Sequence, residues 1–183
     1  MALAKKEEAR VSAKVFCCLS TIVAVVLLVV GVCAWKTGSS AVSMVNQGLT
    51  EQKIYFPPAG SPAFAEAAFP AAQKYAGKQV VDGALAKAYA EDFLGVQLKL
   101  LGNGKVSSEV AADLAADPQN PMLQQLQATM FQIETSKTLM LSSAYGASVQ
   151  GTMIKNLGAV ALAAAAVLAL VAVSQCMRYM RLK

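Results

Sequence analysis

Residues 15–35 read VFCCLSTIVAVVLLVVGVCAW, twenty-one positions without a charged side chain. As a helix rising about 1.5 Å per residue, the run reaches roughly 30 Å, the hydrocarbon thickness of a bilayer. Two readings compete for it. A cleaved secretion signal has an apolar centre of about 7–15 residues and a small-x-small cleavage site. Val32-Cys33-Ala34 is a weak version of such a site, but the apolar run is longer than a signal needs. A lipid attachment at Cys33 calls for a small residue just before it, and Val32 is not small. The anchor reading therefore leads, and the rest of the chain bears on it.

A second uncharged run, NLGAVALAAAAVLALVAVSQCM, occupies residues 156–177. The chain is 56% hydrophobic and 15% charged, against roughly 25% charged in an ordinary soluble domain. Its net charge of +5 sits at the ends. Lys5, Lys6, Arg10 and Lys14 outweigh Glu7 and Glu8 before the first run, and Arg178, Arg181 and Lys183 follow the second. Between the runs nine lysines face nine acids and cancel. Basic residues crowd the cytoplasmic ends of membrane spans, so this distribution predicts a cytoplasmic tail at 1–14, spans at 15–36 and 156–177, an extracytoplasmic region at 37–155, and a cytoplasmic tail at 178–183. Phe16, Trp35 and Tyr179 lie at the borders of the runs, where amphipathic rings favour the headgroup level. A plasma-membrane protein results, with lipid as its surroundings and no nucleic acid among its partners.

Both runs carry small residues at a spacing of three and four. The first gives Ser20, Ala24, Leu27, Gly31, Ala34, Gly38, Ala41, Val45 and Gly48. The second extends the register upstream: Leu123, Leu126, Met130, Ile133, Lys137, Met140, Ala144, Ala147, Gly151, Ile154, Gly158, Ala161, Ala165, Leu168 and Ala172. A 3.5-residue repeat makes a left-handed seam between helices, and small side chains inside a bilayer let backbones approach. Alanine is so common in the second run that several registers look small-lined, so the aliphatic half, residues 123–140, is the more informative. The expected interface is Ser20, Ala24, Gly31, Ala34, Gly38, Ala147, Gly151, Gly158, Ala161 and Ala165. Continued outward, the first helix reaches about Gln52 and the second starts near Pro121, with Gly146 and Gly151 as places for a bend or break. The fold class is then an all-α membrane protein: two transmembrane helices extended into an antiparallel hairpin, with a small helical extracytoplasmic domain.

Between the helices no segment alternates apolar and polar residues as a half-buried strand would. YFPPAGSP at residues 55–62 reads as irregular chain. A short helix between Pro70 and Gly77 is expected, then a longer one after Asp82 with Leu85, Tyr89, Phe93, Val96 and Leu100 on one face. Gly102-Asn103-Gly104 stops it; Ser107 or Ser108 caps the next, which Asp117-Pro118 ends; Asn120-Pro121 opens the last. Nine of twelve aromatic residues lie in this region. They are expected to form a modest core; the alternative is a surface for a partner or apolar ligand, with Tyr55, Phe56, Phe64 and Phe69 as its residues.

The chain has no histidine, which removes histidine-based triads, metal sites and haem ligation. The four cysteines, Cys17, Cys18, Cys33 and Cys176, lie in or beside the spans and read as small apolar packing residues, Cys33 at the opposite end from the others. Gly77-Lys78 and Gly104-Lys105 lack the remainder of a phosphate loop. Glu91-Asp92 is the one adjacent acid pair of this region, and neighbouring helical residues point apart. No catalytic, metal or cofactor residue is expected, and the chain is not read as an enzyme.

The segments FPAAQKYAGKQVVDGALAKAYAEDFLG, GKVSSEV, DPQNPML and QATMFQIETSKTLMLSSAYG resemble a group of actinobacterial two-pass membrane proteins with a central extracytoplasmic domain. The resemblance covers about residues 45–150. It implies a Gram-positive plasma membrane with the domain facing the envelope, and it brings no catalytic residue. Three functions are in play: a structural or accessory subunit packing against another membrane protein or copies of itself, an anchored binding module for an apolar ligand or lipid, and an anchored enzyme. The missing chemistry and the short tails favour the first.

Overall fold

The computed structural model describes residues 2–182. All its regular structure is helical, and among the described residues there is no strand, only an isolated antiparallel bridge between Tyr55 and Gln79. Two helices are long and apolar enough to cross a membrane: Arg10–Gln52, with a mean hydropathy of 2.9 over its most apolar stretch, and Pro121–Arg181, with 2.5. Only 11% and 17% of those stretches is buried within the protein, whereas the core helix of a water-soluble fold is mostly buried.

The chain divides into two compact units. The first comprises Met1–Ser40 and Gly151–Lys183, carried by helix α1 (Ala2–Gln52) and helix α6 (Ala147–Leu182). The second, Ala41–Gln150, holds the short helices α2 (Gly83–Ala88), α3 (Gly95–Leu101) and α4 (Ser107–Ala116), and the longer α5 (Pro121–Leu139). A π-helical turn, Tyr89–Leu94, joins α2 to α3, and another, Met140–Gly146, joins α5 to α6. The irregularity expected near Gly146 is thus a widened turn, and the helix continues through it.

The second unit is built around aromatic rings. Phe56, Phe64, Phe69 and Phe93 are buried with Val80, Ala86 and Leu94. Phe64 packs on Phe69 at 5.4 Å and on Phe93 at 5.6 Å between ring centroids, and Phe56 lies 5.2 Å from Tyr75 and 5.1 Å from Tyr89. Such offset and edge-to-face pairs add to the area they bury. The irregular chain that delivers Phe56 and Phe64 is pinned by its backbone: Phe56 N–H donates to Lys78 O at 2.9 Å and Val80 N–H to Ile54 O at 2.8 Å. Helix α1 stops where Lys53 turns to φ 52°, and the Thr50 carbonyl at its end accepts from Lys53 N–H at 3.3 Å and from the Gln79 side-chain amide at 2.7 Å.

Local signals set most boundaries. Asp82 Oδ1 accepts from Leu85 N–H at 2.8 Å and starts α2, while Asn120 Oδ1 accepts from Met122 and Leu123 N–H at 3.1 and 3.3 Å and starts α5. Asn103 and Gly104 take φ 50° and 85° after α3. Two expectations need correction. Between Pro70 and Gly77 there is one 3₁₀ turn, Gln73–Tyr75, because so short a piece cannot offset the cost of helix nucleation. Helix α4 is capped through Glu109, whose carboxylate accepts from Val106 N–H at 2.9 Å, with neither Ser107 nor Ser108 as the cap.

Candidate helix-packing interface

In the first unit the two helical segments touch backbone to backbone. A β-carbon at Gly158 would stand 2.5 Å from Trp35 N and 2.8 Å from Gly31 O. One at Gly31 would meet Leu162 Cγ at 2.9 Å, and one at Gly38 would meet Gly151 O at 2.5 Å and Lys155 Cα at 2.8 Å. Real β-carbons do not come so close to backbone, so Gly38 and Gly158 are required for steric reasons, while at Gly31 the nearest obstacle is a leucine side chain with backbone at 3.0 Å behind it. The contacts pair 31 with 158–162 and 38 with 151–155, so the segments run in opposite directions.

Burial follows the three-and-four register. Ala24, Gly31, Gly38, Gly151, Gly158 and Ala165 are buried, and Ser20, Ala34, Ala147 and Ala161 are half-buried. Ala147 belongs to the second unit, so nine of the ten expected interface residues fall in the first. The intervening large side chains, among them Ile22, Val25, Val26, Val29, Leu157 and Leu170, are exposed. Ile154 departs from the register: it is exposed, while Lys155 is half-buried, packs its backbone on Gly38, and places its amine 5.2 Å from the centre of the Trp35 ring.

The register also runs further than expected. Stepping back from Ser20 leads to Cys17, Ala13 and Arg10; Ala13 is buried, and the Arg10 guanidinium lies 5.7 Å from the centre of the Tyr179 ring. Cys17 and Cys176 are joined as a disulfide with their Cα atoms 5.5 Å apart, within the usual span for such a bond. Read as packing residues, these two turn out to be covalent partners; Cys18 and Cys33 are free and exposed. Cys17 lies on the register three residues before Ser20, whereas the second register steps from Ala172 to Gln175, one position short of Cys176.

Of the four residues considered for a partner or ligand surface, Phe56, Phe64 and Phe69 are core, and Tyr55 alone is exposed, at 53%. Phe64 and Phe69 pack on each other and on Phe93, while Phe56 packs on Tyr75 and Tyr89, so these three rings are covered within the domain. Lys137, the single charge in the aliphatic register, is half-buried and lies beside Gly95, where a β-carbon would stand in ordinary contact with the lysine nitrogen at 3.6 Å. Charge effects in the second unit are modest. The Asp113 carboxylate, which Lys105 contacts directly, raises the lysine's pKa, and burial pushes the Tyr89 phenol above its ordinary value. Among the described residues no group of three or more His, Cys, Asp or Glu is placed to hold a metal. Comparison with protein families, curated proteins and solved structures finds no match for the chain.

Proposed function

We propose that the chain is a two-pass membrane protein serving as a structural or accessory subunit. Residues 15–36 and 156–177 cross the plasma membrane as an antiparallel hairpin, with both tails cytoplasmic and the domain at 37–155 extracytoplasmic. The observation that carries the reading is the inverted size pattern of the first unit: alanine and glycine inside, Val, Leu and Ile outside. In water that arrangement exposes what burial would stabilise. In lipid it is favourable, because dispersion contacts between close backbones replace the hydrophobic drive and the apolar exterior meets acyl chains. Lipid also leaves no alternative partner for backbone N–H and C=O groups, which keeps valine-rich segments of middling propensity helical. The charge bias supports cytoplasmic tails, and the resemblance of residues 45–150 supports a Gram-positive membrane.

The small-residue faces meet each other within the chain, so the contact with another membrane protein or a second copy falls to the outward surfaces and the domain. A single cysteine introduced at exposed Glu66 in a chain otherwise free of cysteine tests the topology. Labelling of intact cells by an impermeant maleimide is expected; labelling only after lysis refutes it. Purification in mild detergent with intact-mass measurement tests the role. A stoichiometric protein partner or a discrete homo-oligomer is expected, and a lone monomer carrying lipid would favour the binding-module reading instead.

A further inference from the structure

The two halves of the helix pair are held by different means. Gly38 and Gly158, whose β-carbons would strike the opposing backbone, and Gly31, whose β-carbon would crowd Leu162, lie in the half that contains Trp35 and Lys155. The other half meets through Ala24, Ala165 and Ala172, and a groove of about 290 Å³ opens beside it, lined by Thr21, Val25, Leu28, Ala169 and Val173 as well. Here the helices meet through alanine rather than glycine, and here the Cys17–Cys176 bond lies. It ties together residues 159 apart in sequence, one on each helix, at the end flanked by Lys14, Arg178 and Arg181.

We propose that Cys17 and Cys176 are a reversible dithiol–disulfide site that closes or releases the alanine-lined end of the pair. The inference rests on the cytoplasmic placement of that end. A disulfide facing the cytosol is exposed to a reducing thiol pool, and such bonds are in general transient and responsive rather than permanent. Both residues are half-buried and stand at the border of the span, within reach of a small soluble thiol. The oxidant class is a low-molecular-weight disulfide. The Cys17 thiolate attacks one of its sulfurs and expels one small thiolate, forming a mixed disulfide. The Cys176 thiolate then attacks the Cys17 sulfur and expels the second. Two protein thiols lose two electrons and two protons overall, and the small disulfide gains them as two thiols. Excess small thiol runs the sequence backwards. Cys18, exposed and adjacent, takes no part, because it is not on the seam.

Vesicles carrying the full chain, with a protease site inserted in the turn at residues 102–105, test this directly. Inside-out and right-side-out preparations are treated with oxidised or reduced glutathione, which does not cross the membrane, then thiol-blocked, solubilised and cleaved. In inside-out vesicles the two fragments are expected to stay joined on a non-reducing gel after oxidised glutathione and to separate after reduced. Cys17→Ser and Cys176→Ser should separate in both states, while Cys18→Ser behaves as the parent. Fragments that never join, or that stay joined under reduced glutathione, overturn the reversible site and leave the topology standing. Exchange in right-side-out vesicles only would overturn the topology together with the cytosolic role.

Discussion

The two units solve the same packing problem with opposite residues. In the helix pair the buried positions are Ala13, Ala24, Gly31, Gly38, Gly151, Gly158, Ala165 and Ala172, and the large side chains face outward. In the domain the largest fully buried side chains are Phe56, Phe64, Met130, Val80 and Val110. Water rewards a core in proportion to the apolar area hidden from it, so the domain hides rings. A bilayer gives no such reward, and close backbone approach takes its place. On the proposed reading each unit has its own solvent, and the contrast is open to being broken one unit at a time.

The largest effect is expected from Phe64→Ala. Its ring is 0% exposed and touches two others, and truncating a buried phenylalanine costs about 3–5 kcal/mol. The near-UV circular dichroism of the domain should collapse at a lower temperature, while the Cys17–Cys176 link still forms. A domain as stable as the parent would remove the aromatic core from the comparison. Next comes the converse, Gly158→Leu. Overpacking costs about 1–3 kcal/mol, and here the obstacle is the Trp35 backbone, which cannot swing aside as a side chain could. Spin labels at positions 28 and 169, both exposed, should report longer and broader distances, with the unfolding midpoint of the domain unchanged and Gly158→Ala intermediate. An unaltered distance would mean that the glycine seam does not hold the pair.

Much of this was legible in the sequence, for a physical reason. The 3.5-residue spacing of small side chains states which face of each helix is hidden, and only Ile154 broke it, because Lys155 reaches the Trp35 ring from the next position. Capping by Asp82 and Asn120 was readable because the side chain and its backbone donors are three residues apart or fewer. The aromatic residues were recognisable as a cluster, but which were core and which surface depended on pairings such as Phe56 with Tyr89, thirty-three positions apart. No local pattern encodes that. The cysteine pair fell between these cases: both residues sit at the same end of the two runs, but small apolar packing explained them equally well until the two helices were brought together.

The boundary signals separate sequence inference from structure at a smaller scale. Asn120→Ala removes the acceptor for two backbone donors at the start of α5 and should destabilise the domain by about 1 kcal/mol in denaturant unfolding. Ser107→Ala, at the residue first expected to cap α4, should fall within about 0.5 kcal/mol of the parent, as a surface change without a capping role does. Glu109→Ala should cost more than Ser107→Ala, since the Glu109 carboxylate holds Val106 N–H. If the serine change proves the costlier of the two, the start of α4 is governed by the hydroxyl after all.

The smallest effect is a slope rather than a step, and it probes whether the aromatic core keeps water out. Burial raises the Tyr89 phenol above its ordinary value of 10.0, because the anion would lose hydration between the rings of Phe56 and Phe93. The unfolded chain therefore gives up this proton at lower pH than the folded domain does. Above the unfolded value the unfolded state binds fewer protons, so stability falls with rising pH. The contribution is intact below about pH 10 and is lost progressively as pH climbs through the folded value. Tyr89→Phe keeps both ring contacts and removes the proton. Its domain should match the parent at neutral pH and be the more stable of the two above pH 10, by denaturant midpoint. Parallel alkaline curves for the two proteins would mean that the phenol is hydrated in the folded domain, and that this edge of the core is open to water.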